Sequence, residues 1–192
     1  PVNSLVALGL DEPHEQTLVE GGDFYAAPRL SGDGSKLAWL TWNHPDMPWD
    51  AAALWTAPVR EDGSLGQAGH VAGGEGEAVA QPRWSPYGVL HFVWEQTGWW
   101  NLYRRSGDRI DRLKEMPAEF GLPHWVFRLR QYAFITPDEL LVAYLEDGLT
   151  HLARLHAVTG QLTAIQTPFT QYGAINVRDG HGVLIAGAPD RF

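Results

Sequence analysis

The sequence predicts an all-β chain, a partial β-propeller of about three to four four-stranded antiparallel blades. The first observation behind this prediction is a repeat. Residues 81–104 read QPRWSPYGVLHFVWEQTGWWNLYR, and weaker copies occupy residues 27–42 and 132–144. Each copy has a small or apolar lead-in, a Ser or Thr followed by Pro, Asp or Gly, and then alternating apolar residues. This pattern predicts a strand, a tight turn and a second strand.

The spacing of the copies is the second observation. Pro82 follows Pro28 by 54 residues, and Pro137 follows Pro86 by 51 residues. Four-stranded propeller blades repeat every ~40 to 50 residues. The offsets therefore predict about one blade for each copy of the repeat.

Turns rich in Gly, Asp, Ser and Pro divide the chain into five units. These are a blade fragment at 1–26, blades at 27–80, 81–129 and 130–172, and a second fragment at 173–192. In the first fragment, strands are predicted at 5–10 and 16–19, with a turn at 11–13 between them.

Within the blades, apolar runs separated by turns predict four strands each. The first blade begins with a lead-in at residue 27, and its later strands are 36–42, 53–59 and about 70–72. The predicted strands of the second blade are 83–84, 89–94, 100–104 and 109–113. Those of the third blade are 132–136, 140–145, 150–156 and 162–166, and the last fragment has its second strand at 180–186.

The incomplete units at both ends of the chain are compatible with two propeller arrangements. Closed propellers have about four to eight blades, so this chain is expected to be an arc of a larger propeller. In the alternative, the outer strands at the N-terminus join the inner strands at the C-terminus and close four blades. The absence of Met at position 1 favours further sequence upstream.

Composition excludes several classes of function. The formal charge of −9 and the scattered Lys and Arg argue against a nucleic-acid partner. No apolar run of about 18 residues predicts a membrane span. The chain has no Cys, which excludes disulfides and fits a reducing compartment, so a cytoplasmic location is favoured while localisation stays open.

Four motifs in a fixed order resemble a known family. They are HPDMPWD at 44–50, QPRWSP at 81–86, GWWNLYR at 98–104 and EFGLP at 119–123, ahead of Trp125. Together they resemble the propeller of prolyl oligopeptidase-like serine peptidases, a family that includes acylaminoacyl peptidases and dipeptidyl peptidases. Arg128 stands where the family pattern has Gly, so an unusual backbone is expected there.

The resemblance implies a non-catalytic role. In this family the propeller resembles a filter over a C-terminal α/β-hydrolase domain, whose nucleophile lies on a Gly-x-Ser-x-Gly elbow. None of the serines in this chain lies in such an elbow. The chain is therefore expected to gate and orient peptide substrates for a separate hydrolase domain, and to use no cofactor.

The loop at 43–51 is the first candidate site, because it exceeds the two to five or so residues that a hairpin needs. Substrate contacts are predicted for His44, Trp49 and Asp50. Two alternatives stay open. His44 with Asp46 and Asp50 could hold a metal ion, or the loop could be rigid, with Trp49 packed on the neighbouring blade and Asp50 capping a turn. No metal site is predicted.

Glu119 is the second candidate. Dipeptidyl peptidases that this family resembles use propeller carboxylates to hold a substrate's free amino terminus, and Glu119 near Trp125 is predicted to act in this way. Arg83 and Arg104 could meet a peptide carboxylate, although pairing with an acidic residue on an adjacent blade is favoured.

Two rival functions remain. A stand-alone propeller that binds protein partners is the main alternative. A lactonase-like propeller with an axial Ca²⁺ ranks last, because only four Asn are available to converge on such an ion.

Overall fold

The predicted all-β class is confirmed. The computed structural model describes residues 2–11, 14–125 and 128–190, and in these ranges it contains sixteen strands and no helix. Every strand pair is antiparallel. None of the described residues belongs to a helix long and apolar enough to cross a membrane.

Three four-stranded sheets lie between two hairpins, which is the architecture of a partial propeller. The first hairpin consists of β1 (Leu5–Leu8) and β2 (Glu15–Val19). The first sheet consists of β3 (Phe24–Leu30), β4 (Lys36–Trp42), β5 (Ala53–Pro58) and β6 (Gly69–Ala72). The second consists of β7 (Val79–Trp84), β8 (Leu90–Trp94), β9 (Asn101–Ser106) and β10 (Arg109–Arg112). The third consists of β11 (Tyr132–Thr136), β12 (Glu139–Glu146), β13 (Leu149–His156) and β14 (Leu162–Ala164), and the last hairpin of β15 (Gln171–Arg178) and β16 (His181–Gly187).

The first strands of the first and second sheets begin earlier than the sequence predicts. β3 begins at Phe24, ahead of the boundary placed at residue 27, and β7 begins at Val79, ahead of the boundary placed at 81. In both cases a β-bulge splits the strand, so the segment before the bulge reads as a separate apolar lead-in. The predicted turn at 11–13 lies partly outside the described residues.

The bulges recur at equivalent places in the first strands. Ala27, Gln81 and Ala174 each adopt a positive φ, of 49°, 52° and 53°. A register shift accompanies each of them, and regular pairing resumes two residues later. Because a bulge re-aims the side chains that follow it, the three strands present their next residues in the same way.

The core consists of four apolar layers, one between each pair of neighbouring sheets or hairpins. The first layer includes Leu37 and Trp39 with β1 and β2, and the second includes Leu40 and Phe92. The third lies between the second and third sheets, and the fourth between the third sheet and the last hairpin. Burial of each large side chain in these layers stabilises the fold by ~1.5 to 3 kcal/mol.

Hydrogen bonds join the first strands of successive sheets. Trp84 Nε1 donates to the carbonyl of Arg29 at 2.9 Å, which links β7 to β3. The backbone N–H of Ile175 donates to the carbonyl of Arg130 at 3.1 Å, which links β15 to the segment before β11. These bonds hold the first strands of neighbouring sheets, which we call the inner strands, side by side. They thereby fix the surface that the inner strands form together.

Candidate functional site

The two loops that the sequence singles out meet in the structure. Trp49 lies in the loop at 43–51, and Trp125 lies in the connection at 114–128 that also carries Glu119. Their ring centroids are 4.2 Å apart and the rings are tilted by 40°. Trp125 is 74% exposed, although it packs on another indole. Trp49 is half-buried against the core between the second and third sheets, so the exposed indole of Trp125 supplies most of the apolar surface that this pair offers to a ligand.

The pair forms one wall of an aromatic cleft of about 230 Å³. Phe24 and Trp42 stack on each other with ring centroids 5.3 Å apart and also line the cleft. The other lining residues are Ala26, Met47, Pro48 and His124. Burial lowers the pKa of His124, so its imidazole is neutral in the cleft at neutral pH.

Short polar contacts hold the loop at 43–51. The backbone N–H of His44 donates to Asp23 Oδ2 at 2.9 Å, and the backbone N–H of Asp23 donates to Asn43 Oδ1 at 2.8 Å. Asp50 Oδ2 accepts from the backbone N–H of Met47 at 2.9 Å, so Asp50 caps a turn. This is the arrangement of the rigid-loop alternative, and it presents Trp49 to the cleft.

His44 lies beside the cleft rather than in its wall. Its ring meets Phe24 edge-on, with centroids 4.8 Å apart. Asp50 is exposed next to Trp49. Among the described residues, no group of three or more His, Asp or Glu side chains could hold a metal ion.

Asn101 fixes the start of the connection that carries Trp125. Its side chain is fully buried, and Nδ2 donates to the carbonyls of Met116 and Ala118, both at 3.1 Å. Asn101 Oδ1 accepts from the backbone N–H of Met116 at 3.0 Å. The sequence analysis missed this role, although an Asn that directly follows Trp99 and Trp100 at the start of a predicted apolar strand was a usable signal.

Glu119 is anchored near the cleft but lines a different cavity. Its backbone exchanges two 2.9 Å hydrogen bonds with Leu145, and its Oε2 accepts from the backbone N–H of Trp100 at 2.8 Å. The cavity beside it, of about 420 Å³, lies between the third sheet and the last hairpin. The structure thus places Glu119 apart from His44, Trp49 and Asp50.

Glu95 interacts electrostatically both with Asp50, in the loop at 43–51, and with Glu119. Burial, together with the nearby charges of Glu119, Asp50 and Glu77, raises the pKa of Glu95, while a hydrogen bond with Trp100 opposes the rise. Glu77 itself accepts from Trp94 Nε1 at 2.8 Å. Four carboxyl groups, those of Glu95, Glu119, Asp50 and Glu77, are therefore close enough to interact, and together they favour a cationic group.

Arg128 has the unusual backbone that its position predicts. Its φ is 67°, in the region that glycine enters most readily. The two residues before it, Val126 and Phe127, lie outside the described residues. The exposed side chain of Arg128 follows directly from the segment that carries His124 and Trp125.

The fold matches solved structures of larger proteins. A puromycin hydrolase matches with a TM-score of 0.85 and 34% identity, over 91% of this chain and 27% of its own. A puromycin-hydrolyzing peptidase of Mycobacterium tuberculosis matches with a TM-score of 0.84 and 31% identity, over 92% of this chain and 27% of its own. The chain is a β-propeller portion of the prolyl oligopeptidase-like family.

More distant matches support the fold of this propeller alone. A prolyl endopeptidase matches with a TM-score of 0.64 and 16% identity, over 90% of this chain and 25% of its own. This propeller therefore spans about a quarter of the length of these relatives. No protein-family profile and no curated protein sequence matches it.

Proposed function

We propose that this chain is the non-catalytic propeller of a serine peptidase, which gates access and orients peptide substrates for a separate α/β-hydrolase domain. The observation that carries the proposal is the contact between Trp49 and Trp125 across two loops, 4.2 Å apart at the edge of an aromatic cleft. A cleft on rigidly held loops selects ligands by shape before any chemistry takes place.

The comparison with larger hydrolases supports the proposal that catalysis takes place in a separate hydrolase domain. The puromycin hydrolase that matches at 34% identity is covered by this chain over only 27% of its length. No serine of this chain lies in a Gly-x-Ser-x-Gly elbow. The nucleophile and its triad partners are therefore assigned to the hydrolase domain.

The chemistry of the cleft points to its substrates. An aromatic side chain buried in it would gain ~1.5 to 3 kcal/mol. The carboxylates of Asp50, which follows Trp49, and of Glu95, which interacts with Asp50, favour a free amino group close by. The substrate class is therefore aminoacyl amides and short peptides with an aromatic residue near a free amino terminus. Puromycin, which carries an aromatic aminoacyl amide, is a suitable probe.

Hydrolysis assays on the intact protein test the proposal. Chromogenic amides of Phe and of Ala should both be cleaved, the Phe amide with the lower KM. Trp125→Ala should raise KM for the Phe amide about tenfold and leave kcat nearly unchanged, because uniform binding is lost. Trp99→Ala, which removes an exposed tryptophan outside the cleft, is the matched control.

Two results would contradict the proposal at different points. Absence of any hydrolysis by the intact protein would exclude a peptidase and favour the stand-alone binding module. Equal losses for Phe and Ala amides in Trp125→Ala would leave a peptidase without a selective aromatic cleft. The same assay with Glu119→Gln, on free and N-acetylated amides, tests whether Glu119 holds the amino terminus.

A further inference from the structure

Three arginines converge on the surface formed by the first strands of the sheets. Regular pairing resumes at Arg29 after the bulge in β3 and at Arg83 after the bulge in β7. Arg130 precedes β11 and is tied to β15 through the hydrogen bond from Ile175. All three, together with Asn176 of β15, line one cavity of about 590 Å³.

None of these guanidinium groups pairs with a carboxylate among the described residues. The arginines that do form ion pairs within the described residues are Arg104, Arg105, Arg109, Arg112, Arg154 and Arg178. This is unexpected in a chain with 23 acidic and 14 basic residues. The sequence analysis favoured an acidic partner on an adjacent blade for both Arg83 and Arg104. Arg104 instead pairs with Asp111 of its own sheet, and Arg83 has no such partner among the described residues.

Within the described ranges, the three arginines make their hydrogen bonds and ring contact with neutral groups. Arg29 donates to the carbonyl of Pro28 at 2.8 Å, and Arg130 donates to Asn176 Oδ1. The guanidinium of Arg83 lies over the ring of Tyr132, 5.8 Å from its centroid. Neutral acceptors and a ring face leave most of the five donors of each guanidinium unused.

The three charges repel one another in a partly desolvated place. Burial, followed by repulsion from Arg130 and Arg128, lowers the pKa of Arg29. Burial also lowers the pKa of Arg83, and Arg130 and Arg29 act in the same direction. Arginine remains charged under such conditions, so the arrangement is unfavourable until an anion binds.

A buried amide adds an unused donor beside this cavity. Gln81 is 5% exposed, and its Oε1 accepts from the backbone N–H of Gln131 at 2.8 Å. That bond fixes the orientation of the amide, and Nε2 then has no acceptor among the described residues. Gln81 lines a neighbouring cavity of about 320 Å³ with Arg29 and Arg128. A buried donor in this position favours an acceptor oxygen on the ligand.

We propose that Arg29, Arg83 and Arg130 form a carboxylate-binding site on the surface of the inner strands, and that it takes the carboxylate of a peptide. The peptide as ligand rests on the proposed function. Arginine suits this ligand because its planar donors match the two oxygens of a carboxylate. The carboxylate is either the C-terminus of the peptide or an acidic side chain within it.

Binding measurements on the intact protein test the site without relying on catalysis. Isothermal titration compares a tripeptide with a free C-terminus, the same tripeptide amidated, and a tripeptide blocked at both ends with a central Glu. Mass spectrometry after each titration checks that the peptide is uncleaved. We expect a carboxylate peptide to bind about tenfold more tightly than the neutral one, and the preference to fall as salt is raised.

The variants separate this site from general charge effects. Arg83→Gln should abolish the preference for a carboxylate, whereas Arg109→Gln, which removes an exposed arginine paired with Asp111, should keep it. Arg29→Gln is the second variant in case Arg83→Gln fails to fold. Preference for the free C-terminus or for the central Glu identifies the source of the carboxylate, and inorganic phosphate should compete in either case.

Equal affinity for charged and neutral peptides would overturn the proposal, as would an unchanged preference in Arg83→Gln and Arg29→Gln. These outcomes are independent of hydrolysis. A protein that cleaves amides but shows no carboxylate preference retains the proposed function and lacks this site. A protein that shows the preference without cleaving amides retains the site and lacks the peptidase activity.

Discussion

The hydroxyl of Tyr132 donates a 2.7 Å hydrogen bond to the carbonyl of Gln81, the residue at positive φ in the bulge of β7. Tyr132 is fully buried, and burial raises the pKa of its hydroxyl above the usual range. The bond therefore satisfies a backbone acceptor that the bulge removes from regular pairing, and it joins the second sheet to the third.

Tyr132→Phe should destabilise the protein by about 1 to 2 kcal/mol, because the carbonyl of Gln81 would be left buried without this donor. The ring and its contact with Arg83 would be retained. Urea unfolding at neutral pH measures the change. Tyr87→Phe, at an exposed tyrosine, should leave the midpoint unchanged, and an equal effect of the two substitutions would contradict the assigned role.

His91 should make stability depend on pH. The residue is 2% exposed, its Nδ1 lies 3.1 Å from the carbonyl of Val89, and burial lowers its pKa from 6.5 to about 4. The folded pKa is below the unfolded value, so the unfolded chain binds the extra proton. The contribution of His91 to the free energy of unfolding is therefore fully present above about pH 6.5. It falls as the pH drops toward 4, by about 3 kcal/mol in total.

Urea midpoints measured between pH 7 and 4 test this dependence. His91→Leu should flatten the curve, while His181→Leu, at an exposed histidine, should keep it. His124 also has a lowered pKa and accounts for part of the slope that remains. An identical slope in His91→Leu and the unsubstituted protein would refute the assignment to His91.

Asn101→Ala should cost about 2 to 4 kcal/mol and loosen the connection that presents Trp125. The substitution removes three hydrogen bonds from a fully buried amide and leaves the carbonyls of Met116 and Ala118 without their donor. Amide hydrogen exchange should accelerate at Phe120. Asn3→Ala, at an exposed asparagine, is the control, and unchanged exchange at Phe120 would contradict the anchoring role.

The strands could be predicted because their signals are local. Alternation and turn chemistry placed β4 at 36–42 and β11 at 132–136 to the residue. The same signals stopped short at β3 and β7, because a bulge depends on pairing with the next strand. Neither Ala27 nor Gln81 is a residue type that predicts a positive φ.

The sites were only partly accessible from the sequence. Loop length drew attention to Trp49, and the resemblance drew attention to the segment before Trp125, but no local signal places two loops of different blades in contact. The arginine surface was hidden for a related reason. Whether Arg83 faces an acidic residue or another arginine depends on the register shift in β7 and on the packing of neighbouring sheets.

The recurring bulge itself can be tested at Ala174, which is exposed and has a φ of 53°. Ala174→Gly should stabilise the protein by up to about 1 kcal/mol, because glycine enters this region without the penalty of a Cβ atom. Ala164→Gly in β14, at an exposed residue of an ordinary strand, should destabilise it by about 0.5 to 1 kcal/mol, because glycine has more backbone entropy in the unfolded chain and loses more of it on folding. Thermal and urea unfolding of the two variants should therefore shift in opposite directions. Destabilisation by both substitutions to the same extent would show that the positive φ at Ala174 carries no strain.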